Sequence, residues 1–300
     1  EKAVNAYNTL KDNGMKVFIG TVTTGACLSV ISQTKADNMF QITPSASAAK
    51  VIANDNCFQV CFTDPNQGTA SADYIASKGL ATKVAVIYNS SDAYSSGIYD
   101  NFKAEAAAKG LDLVASEAFT GDSKQDFSSQ LSKIKASGAE LIFLPIYYQE
   151  ASLILSQAKN AGITAKFFGC DGLDGLLNIE NFDKSLAENV MLLTPFAANA
   201  TDETTKKFVT AYNAKYDPST LNQFAADAYD AVYIVKAAAE KAGVTGDMSV
   251  SDICNALKGA MTEITVDGVT GSGMTWKATG EVNKEPKAVK IENGEYQPMD

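Results

Sequence analysis

The chain has 300 residues, of which 46% are hydrophobic and 20% are charged, so its composition is that of a globular protein rather than a disordered one. This length is long for one hydrophobic core and fits two lobes. The formal net charge of -10 argues against binding to nucleic acids or anionic membranes. The sequence contains no histidine and no arginine, which excludes histidine catalysis, histidine metal ligands and guanidinium clamps. Any bound anion must therefore be held by lysine, hydroxyl groups, backbone N–H groups or helix N-termini.

Strand and helix patterns alternate from the first residues to about residue 194. Helical periodicity predicts helices at 3–13, from the turn at 21–25 to about 39, 66–78, 94–109, 126–136 and 150–161. Short apolar runs predict strands at 16–20, 40–43, 57–63, 84–88, 111–115, 141–144, 167–169 and 189–193. Strands separated by helices in this way indicate βαβ units and parallel sheets, and therefore an α/β fold.

The pattern changes after Pro195 and again near residue 271. Helices are predicted at 202–215, 224–241 and 250–260. Segments at 274–276, 278–280 and 288–292, followed by Asn293-Gly294, predict an antiparallel hairpin because Asn-Gly favours a tight hairpin turn.

These shifts predict two lobes and a separate C-terminal element. One lobe comprises residues 1–65 and 196–270, and the other comprises residues 66–194. The hairpin at 271–300 is expected to cross near the hinge. A chain that leaves a lobe and returns to it makes several hinge strands, which suits closure around a ligand.

Five cysteines, at positions 27, 57, 61, 170 and 254, contain no CxxC pair. Buried apolar thiols are the expected state, and cysteine usage leaves the redox compartment open. No apolar run reaches the roughly 20 residues of a membrane span. The chain opens without a signal-peptide pattern, so a signal peptide could have been removed.

Catalytic signatures such as GxSxG, HExxH, Walker A and GxGxxG are missing from the sequence. Asp171 and Asp174 form a carboxylate pair that could act as an acid and a base or bind Ca²⁺. The commoner explanation is a polar loop in which Asp174 caps a helix. We therefore expect no catalytic residue, no metal and no cofactor.

The informative positions lie where strands end and helices begin, which is where open parallel sheets bind ligands. Hydroxyl-rich turns in the first lobe suit a carboxylate, and aromatic residues in the second lobe could cover an apolar group. Asp171 could pair with an ammonium, so the set describes a site for an α-amino acid. Each residue also has a structural explanation as a helix cap or core residue, but together they favour the site. The turns are 21–25, 43–47, 92–94 and 146–148.

Several motifs, in order, resemble the branched-chain amino-acid binding proteins of bacterial ABC importers. The resemblance covers essentially the whole chain and implies a type I periplasmic-binding-protein fold with two flavodoxin-like lobes and no catalysis. The motifs are Lys16-Val-Phe-Ile-Gly20, Gln41-Ile-Thr-Pro44, Phe62-Thr-Asp-Pro-Asn-Gln-Gly68, Lys83-Val-Ala-Val-Ile-Tyr88, Ala228-Tyr-Asp-Ala231 and Gly268-Val-Thr-Gly271.

The resemblance also implies a role for individual residues. Thr24 and Ser47 would hold the ligand carboxylate, and the carbonyl of Ser45 and the side chain of Asp171 would take the ammonium. The side-chain pocket would be lined by Val22, Tyr94, Tyr147 and Phe224. Aspartate replaces a glutamate of some relatives at 171, which leaves the preferred amino acid open.

Two departures from the family are visible. Thr23 stands where some relatives have a cysteine, so the disulfide of those relatives is not expected. Family members also begin with a strand, a helix and a second strand before the helix that opens this chain. We therefore expect the 300 residues to be an excerpt of a longer folded chain.

The leading interpretation is an extracytoplasmic solute-binding protein that closes on an aliphatic amino acid and delivers it to a membrane permease. It would be periplasmic or a cell-surface lipoprotein, monomeric, and without a nucleic-acid partner. One alternative is the ligand-sensing domain of a receptor or regulator with the same fold. A less favoured alternative is a Rossmann-like enzyme, against which the missing phosphate loop, histidine and arginine argue.

Overall fold

Strands and helices alternate over most of the chain in the computed structural model, which describes residues 1–299. The helices are α1 Lys2–Asp12, α2 Thr24–Ala36, α3 Asp64–Ser77, α4 Ala93–Ala108, α5 Ser128–Ser137, α6 Tyr148–Asn160, α7 Glu203–Asn213, α8 Gln223–Ala242 and α9 Val250–Met261. The strands are β1 Phe18–Ile19, β2 Gln41–Thr43, β3 Cys57–Gln59, β4 Lys83–Asn89, β5 Asp112–Phe119, β6 Leu141–Leu144, β7 Lys166–Gly169, β8 Met191–Thr194, β9 Lys287–Glu292 and β10 Glu295–Pro298. The predicted order of helices and strands as far as α9 is therefore confirmed.

The chain forms two compact units and passes between them after Thr63, Gln223 and Glu285. Unit 1 contains residues 1–63 and 224–285, and unit 2 contains the rest of the described chain. Residues 196–223, which the sequence analysis grouped with the first lobe, belong to unit 2 in this division. Hydrogen bonds tie this segment to the rest of unit 2: Asn178 donates to the carbonyl of Leu221 at 3.3 Å, and Thr194 donates to Oε1 of Gln223 at 2.7 Å.

Unit 2 is built on one sheet with the strand order β10-β9-β8-β7-β6-β4-β5. The strands from β8 to β5 pair in parallel, and β9 and β10 are antiparallel additions. Every residue of the central strand β6 is fully buried. Ile142 and Leu144 face a core formed with α5 and α6, whereas Leu141 and Phe143 face a core formed with α3 and α4. Helices on both faces explain why β6 is uninterruptedly apolar, as expected of a parallel strand.

Unit 1 contains a smaller parallel sheet in the order β1-β2-β3. Phe40, next to β2, stacks on Phe58 of β3 with ring centroids 5.4 Å apart. Ile234 of α8 and Leu257 of α9 belong to the same fully buried cluster. The sheet is thus held by the last two long helices of the chain.

The C-terminal region differs from the single hairpin predicted at 271–300. β9 and β10 do form an antiparallel hairpin, and Asn293 and Gly294 have φ angles of 54° and 77°, as the Asn-Gly signal predicts. The segment at 274–280 belongs instead to unit 1, where it makes isolated bridges from Val266 to Met274 and from Trp276 to Val282. Alternating apolar residues in that segment fill the core of unit 1 without extending a sheet.

Gly280 allows a close approach of this segment to β3. A Cβ atom at Gly280 would lie 2.1 Å from the carbonyl oxygen of Cys57, and the residue has a φ of +85°. Gly273 has a similar φ of +61°, but a Cβ atom there would have no neighbouring atom within 4 Å. Alanine substitutions at the two glycines therefore distinguish the cost of a positive φ from the cost of steric overlap.

We expect Gly280→Ala to lower the free energy of unfolding by about 2 kcal/mol more than Gly273→Ala, because overpacking adds to the cost of a positive φ. Urea unfolding of the two variants measures this difference directly. Equal losses in the two variants would contradict the close approach.

The five cysteines are all buried and carry free thiols within residues 1–299. This confirms the expectation of buried thiols. Burial also raises the pKa of Cys57 to about 12, so its reactive thiolate form is suppressed at neutral pH.

Candidate functional site

The hydroxyl-rich turns of unit 1 follow two neighbouring parallel strands. β1 and β2 pair in register from Phe18 and Gln41, so the segments that follow them lie at the same edge of the sheet. Thr24 is the first residue of α2, and Ser45 and Ser47 lie in the segment after β2. All three serine and threonine residues are buried.

Thr24 and Ser47 are brought into direct contact. The Oγ1 atom of Thr24 accepts hydrogen bonds from the backbone N–H groups of Ser47 at 3.2 Å and of Ala48 at 3.4 Å. Two accepted bonds occupy its lone pairs, so its own hydroxyl proton is free to point elsewhere. The Oγ atom of Ser47 has no hydrogen-bond partner anywhere in residues 1–299. The pair thus offers two buried hydroxyl donors side by side.

The start of α2 adds a favourable field for an anion. Its N-cap residue is Thr23, whose side chain makes no capping hydrogen bond within the described part of the chain. The first N–H groups of a helix have no intrahelical partner and carry the positive end of the helix dipole. Hydroxyl donors and an uncapped helix start together favour a carboxylate.

Two residues that were not predicted as part of the site support this arrangement. Thr43 donates to the carbonyl of Thr21 at 2.6 Å and accepts from the N–H of Ala46 at 3.0 Å, so it ties the two turns together. Gln59 donates to the carbonyl of Ala46 at 2.9 Å. Both are buried polar residues at the ends of strands. Their position at strand ends is the feature of the sequence that could have predicted a role near the site.

In unit 2, Asp171 lies buried in the turn that follows β7. The hydroxyl of Tyr94 donates to its Oδ1 atom at 2.6 Å and accepts from the N–H of Gly172 at 2.9 Å. The ring of Tyr94 stacks on that of Tyr147, with centroids 4.7 Å apart. The structure therefore brings three predicted site residues of this unit together: one carboxylate and two aromatic rings.

The surroundings of Tyr94 keep its phenol group neutral. Burial, followed by the nearby Asp171 carboxylate, raises the pKa of Tyr94 well above its ordinary value. The tyrosine hydroxyl therefore stays a donor at neutral pH. A buried carboxylate needs a cationic or hydrogen-bonding partner, and an ammonium group can serve as one.

Asp174 has a different role from Asp171. Its Oδ2 atom accepts from the backbone N–H of Gln223, the first residue of α8, at 2.7 Å. The prediction of Asp174 as a local helix N-cap is therefore wrong, because the short helix Leu176–Asn178 that follows has Gly175 as its N-cap. Asp174 instead accepts from the first N–H group of a helix that is distant in sequence. Within residues 1–299, no group of three or more acidic or cysteine side chains is arranged to hold a metal ion.

Burial raises the pKa of Asp174 to about 7. Because the folded-state pKa lies above the unfolded value, the native protein binds more protons between about pH 4 and pH 7, and its stability falls as the pH rises through that range. We expect Asp174→Asn, which keeps an oxygen acceptor for Gln223, to remove on the order of 4 kcal/mol of this decline. Thermal unfolding from pH 4 to pH 8 measures this fall in stability. Asp100→Asn, which changes an exposed aspartate, is the control. Parallel curves for wild type and Asp174→Asn would contradict the assignment.

The remaining predicted residues have less defined surroundings. Val22 exposes 43% of its surface, and Phe224 is partly buried as the second residue of α8. Ser45 is buried beside Ser47. The ligand roles of all eight residues stay predictions.

No helix among residues 1–299 combines the length and apolar character needed to cross a bilayer.

Comparison with known proteins identifies the family. The profile of a family described as periplasmic binding protein matches residues 1–295. "Leu/Ile/Val-binding protein homolog 3" of Brucella melitensis is 32% identical over 250 residues, which cover 82% of this chain and 66% of that protein. A Pseudomonas aeruginosa protein named for binding leucine, isoleucine, valine, threonine and alanine is 27% identical over 85% of this chain and 68% of its own.

A solved structure extends the agreement to three dimensions. The branched-chain amino acid transporter substrate binding protein LivJ from Streptococcus pneumoniae, in complex with isoleucine, is 27% identical and has a TM-score of 0.85. The match covers 98% of this chain and 82% of that one. The α/β fold class and the resemblance read from the sequence are both confirmed. The chain belongs to the periplasmic binding protein family, whose members are extracytoplasmic solute-binding proteins and not enzymes.

Proposed function

We propose that this protein captures an aliphatic, branched-chain-type amino acid and delivers it to the membrane permease of an ABC importer. The observation that carries the proposal is the chemistry of two buried groups. Thr24 and Ser47 present hydroxyl donors suited to a carboxylate, and Asp171 presents a carboxylate suited to an ammonium. A free α-amino acid carries both of these charges.

The individual contacts follow the resemblance noted in the sequence. The hydroxyls of Thr24 and Ser47 bind the ligand carboxylate, and the carbonyl of Ser45 shares the ammonium with Asp171. An aliphatic side chain lies against the apolar residues Val22, Tyr94, Tyr147 and Phe224.

The relatives support the choice of ligand class. Both curated proteins are named for leucine, isoleucine and valine, and the LivJ structure contains isoleucine. The Pseudomonas name adds threonine and alanine, so small side chains belong in the test alongside branched ones.

The proposal includes location and partners. The protein acts outside the cytoplasm, either in a periplasm or as a cell-surface lipoprotein. It is a monomer whose macromolecular partner is a permease, and its net charge of -10 disfavours nucleic acid.

Thermal-shift measurements against the twenty amino acids test the function. A ligand at 100 times its dissociation constant stabilises the native state by about 2.7 kcal/mol, which gives a clear rise in melting temperature. We expect the largest rise with leucine, isoleucine or valine, followed by calorimetry on the best ligand. If no amino acid raises the melting temperature, the proposed function is wrong.

A further inference from the structure

Two fully buried glutamines lie where the chain enters and leaves unit 2. Gln67 is in the first turn of α3, the helix with which the chain begins unit 2. Gln223 is the last residue of the long unit 2 segment and the first residue of α8. Neither side chain is exposed to solvent.

Both glutamines bind the backbone of Asp171. The N–H of Asp171 donates to Oε1 of Gln67 at 3.2 Å. The Nε2 of Gln223 donates to the carbonyl of Asp171, also at 3.2 Å. The peptide groups on either side of the Asp171 Cα atom are therefore fixed by side chains from two different segments.

The amide of Gln223 has a defined orientation. Its Oε1 accepts from the hydroxyl of Thr194, at the end of β8, at 2.7 Å. Its backbone N–H donates to Asp174 as described above. Because both amide atoms and the backbone N–H are occupied, rotation of the Gln223 amide would break hydrogen bonds in a fully buried site.

Gln67 has fewer bonds. Its Nε2 atom has no hydrogen-bond partner within residues 1–299, so the bond to Asp171 is the interaction that its amide makes there. A buried amide donor without a partner is a cost to folding. The hydrogen bond from the backbone of Asp171 gives a reason for a glutamine at this position despite the cost.

We infer that Gln67 and Gln223 are positioning residues that hold Asp171 where its carboxylate can bind the ligand ammonium. This inference rests on the proposed function. Each glutamine acts indirectly, through its hydrogen bond to the backbone of Asp171.

The test uses Gln67→Met and Gln223→Met, which keep the side-chain length and remove its hydrogen bonds. We expect each to weaken L-isoleucine binding about tenfold in calorimetry. Thr194→Val, which removes the hydroxyl that orients Gln223, is a milder variant, and we expect a loss of about threefold. It keeps the inference testable if a methionine variant does not fold.

Gln157→Met is the matched control. Gln157 also bridges two backbone groups of unit 2, accepting from Phe127 at 2.7 Å and donating to Gln125 at 2.8 Å. This variant should lose comparable stability but retain wild-type affinity. Unchanged affinity in both Gln67→Met and Gln223→Met, or an equal loss in Gln157→Met, would overturn the inference.

A second measurement separates this inference from the proposed function. In ligand-free protein labelled with ¹³C at the aspartate carboxyl carbons, the Asp171 signal is assigned with Asp171→Asn. We expect Gln67→Met and Gln223→Met to shift that signal and Gln157→Met to leave it in place. If the wild type binds no amino acid, the proposed function fails, whereas an unshifted Asp171 signal refutes the positioning role.

Discussion

Asp171→Ala is expected to weaken binding of L-isoleucine by roughly 30-fold to several-thousand-fold. Truncating one member of a buried, hydrogen-bonded charge pair costs about 2–5 kcal/mol, because the other charge remains desolvated without its partner. The Asp171 carboxylate accepts a 2.6 Å hydrogen bond from Tyr94, which helps to fix its position. Isothermal titration calorimetry of wild type and variant measures the loss.

The ligand itself provides a second arm for this prediction. The des-amino analogue of isoleucine lacks the ammonium, so Asp171 should contribute nothing to its binding. Wild type should therefore strongly prefer isoleucine over the analogue, and Asp171→Ala should lose most of that preference.

Asp100→Ala is the matched control, since it removes an exposed aspartate from α4, the helix that carries Tyr94. Its affinity should equal that of wild type. If Asp171→Ala also binds isoleucine normally, Asp171 is not the ammonium partner.

The contact between Thr24 and Ser47 could be predicted because parallel strands bring their carboxyl ends to one edge of a sheet. Sequence position alone placed both turns there. The different surroundings of the two hydroxyls could not be predicted. Two backbone N–H groups donate to the hydroxyl of Thr24, whereas the hydroxyl of Ser47 has no partner within residues 1–299.

The aspartate pair shows where sequence spacing becomes uninformative. Asp171 and Asp174 are three residues apart and form a candidate acid and base pair in the sequence. In the structure the side chain of one accepts from Tyr94 and that of the other from Gln223. Tyr94 is 77 positions from Asp171 and Gln223 is 49 positions from Asp174, and no local pattern encodes such distant partners.

A buried lysine in unit 1 escaped sequence analysis for the same reason. Lys284 donates from Nζ to the hydroxyl of Thr270 at 2.6 Å, and that hydroxyl donates to Asp230 at 2.6 Å. The Nζ atom also lies 3.8 Å from Oδ1 of Asp227. Only 5% of Lys284 is exposed, so this is a buried charge network linking α8 to the segment at 266–285. Its lysine lies in a polar stretch of sequence that resembles a surface loop.

Lys284→Met is expected to lower the free energy of unfolding by about 3–5 kcal/mol, because it leaves the buried carboxylates of Asp227 and Asp230 without their cation. Adding Asp227→Asn to this variant should recover part of the loss, since it removes one of the uncompensated charges. Lys277→Met is the control: Lys277 pairs with Glu281 at 2.7 Å on the surface, and such pairs contribute less than about 1 kcal/mol. Urea unfolding of the four proteins measures all three effects. A loss in Lys284→Met no larger than that in Lys277→Met would show that the buried network contributes no more than an exposed ion pair.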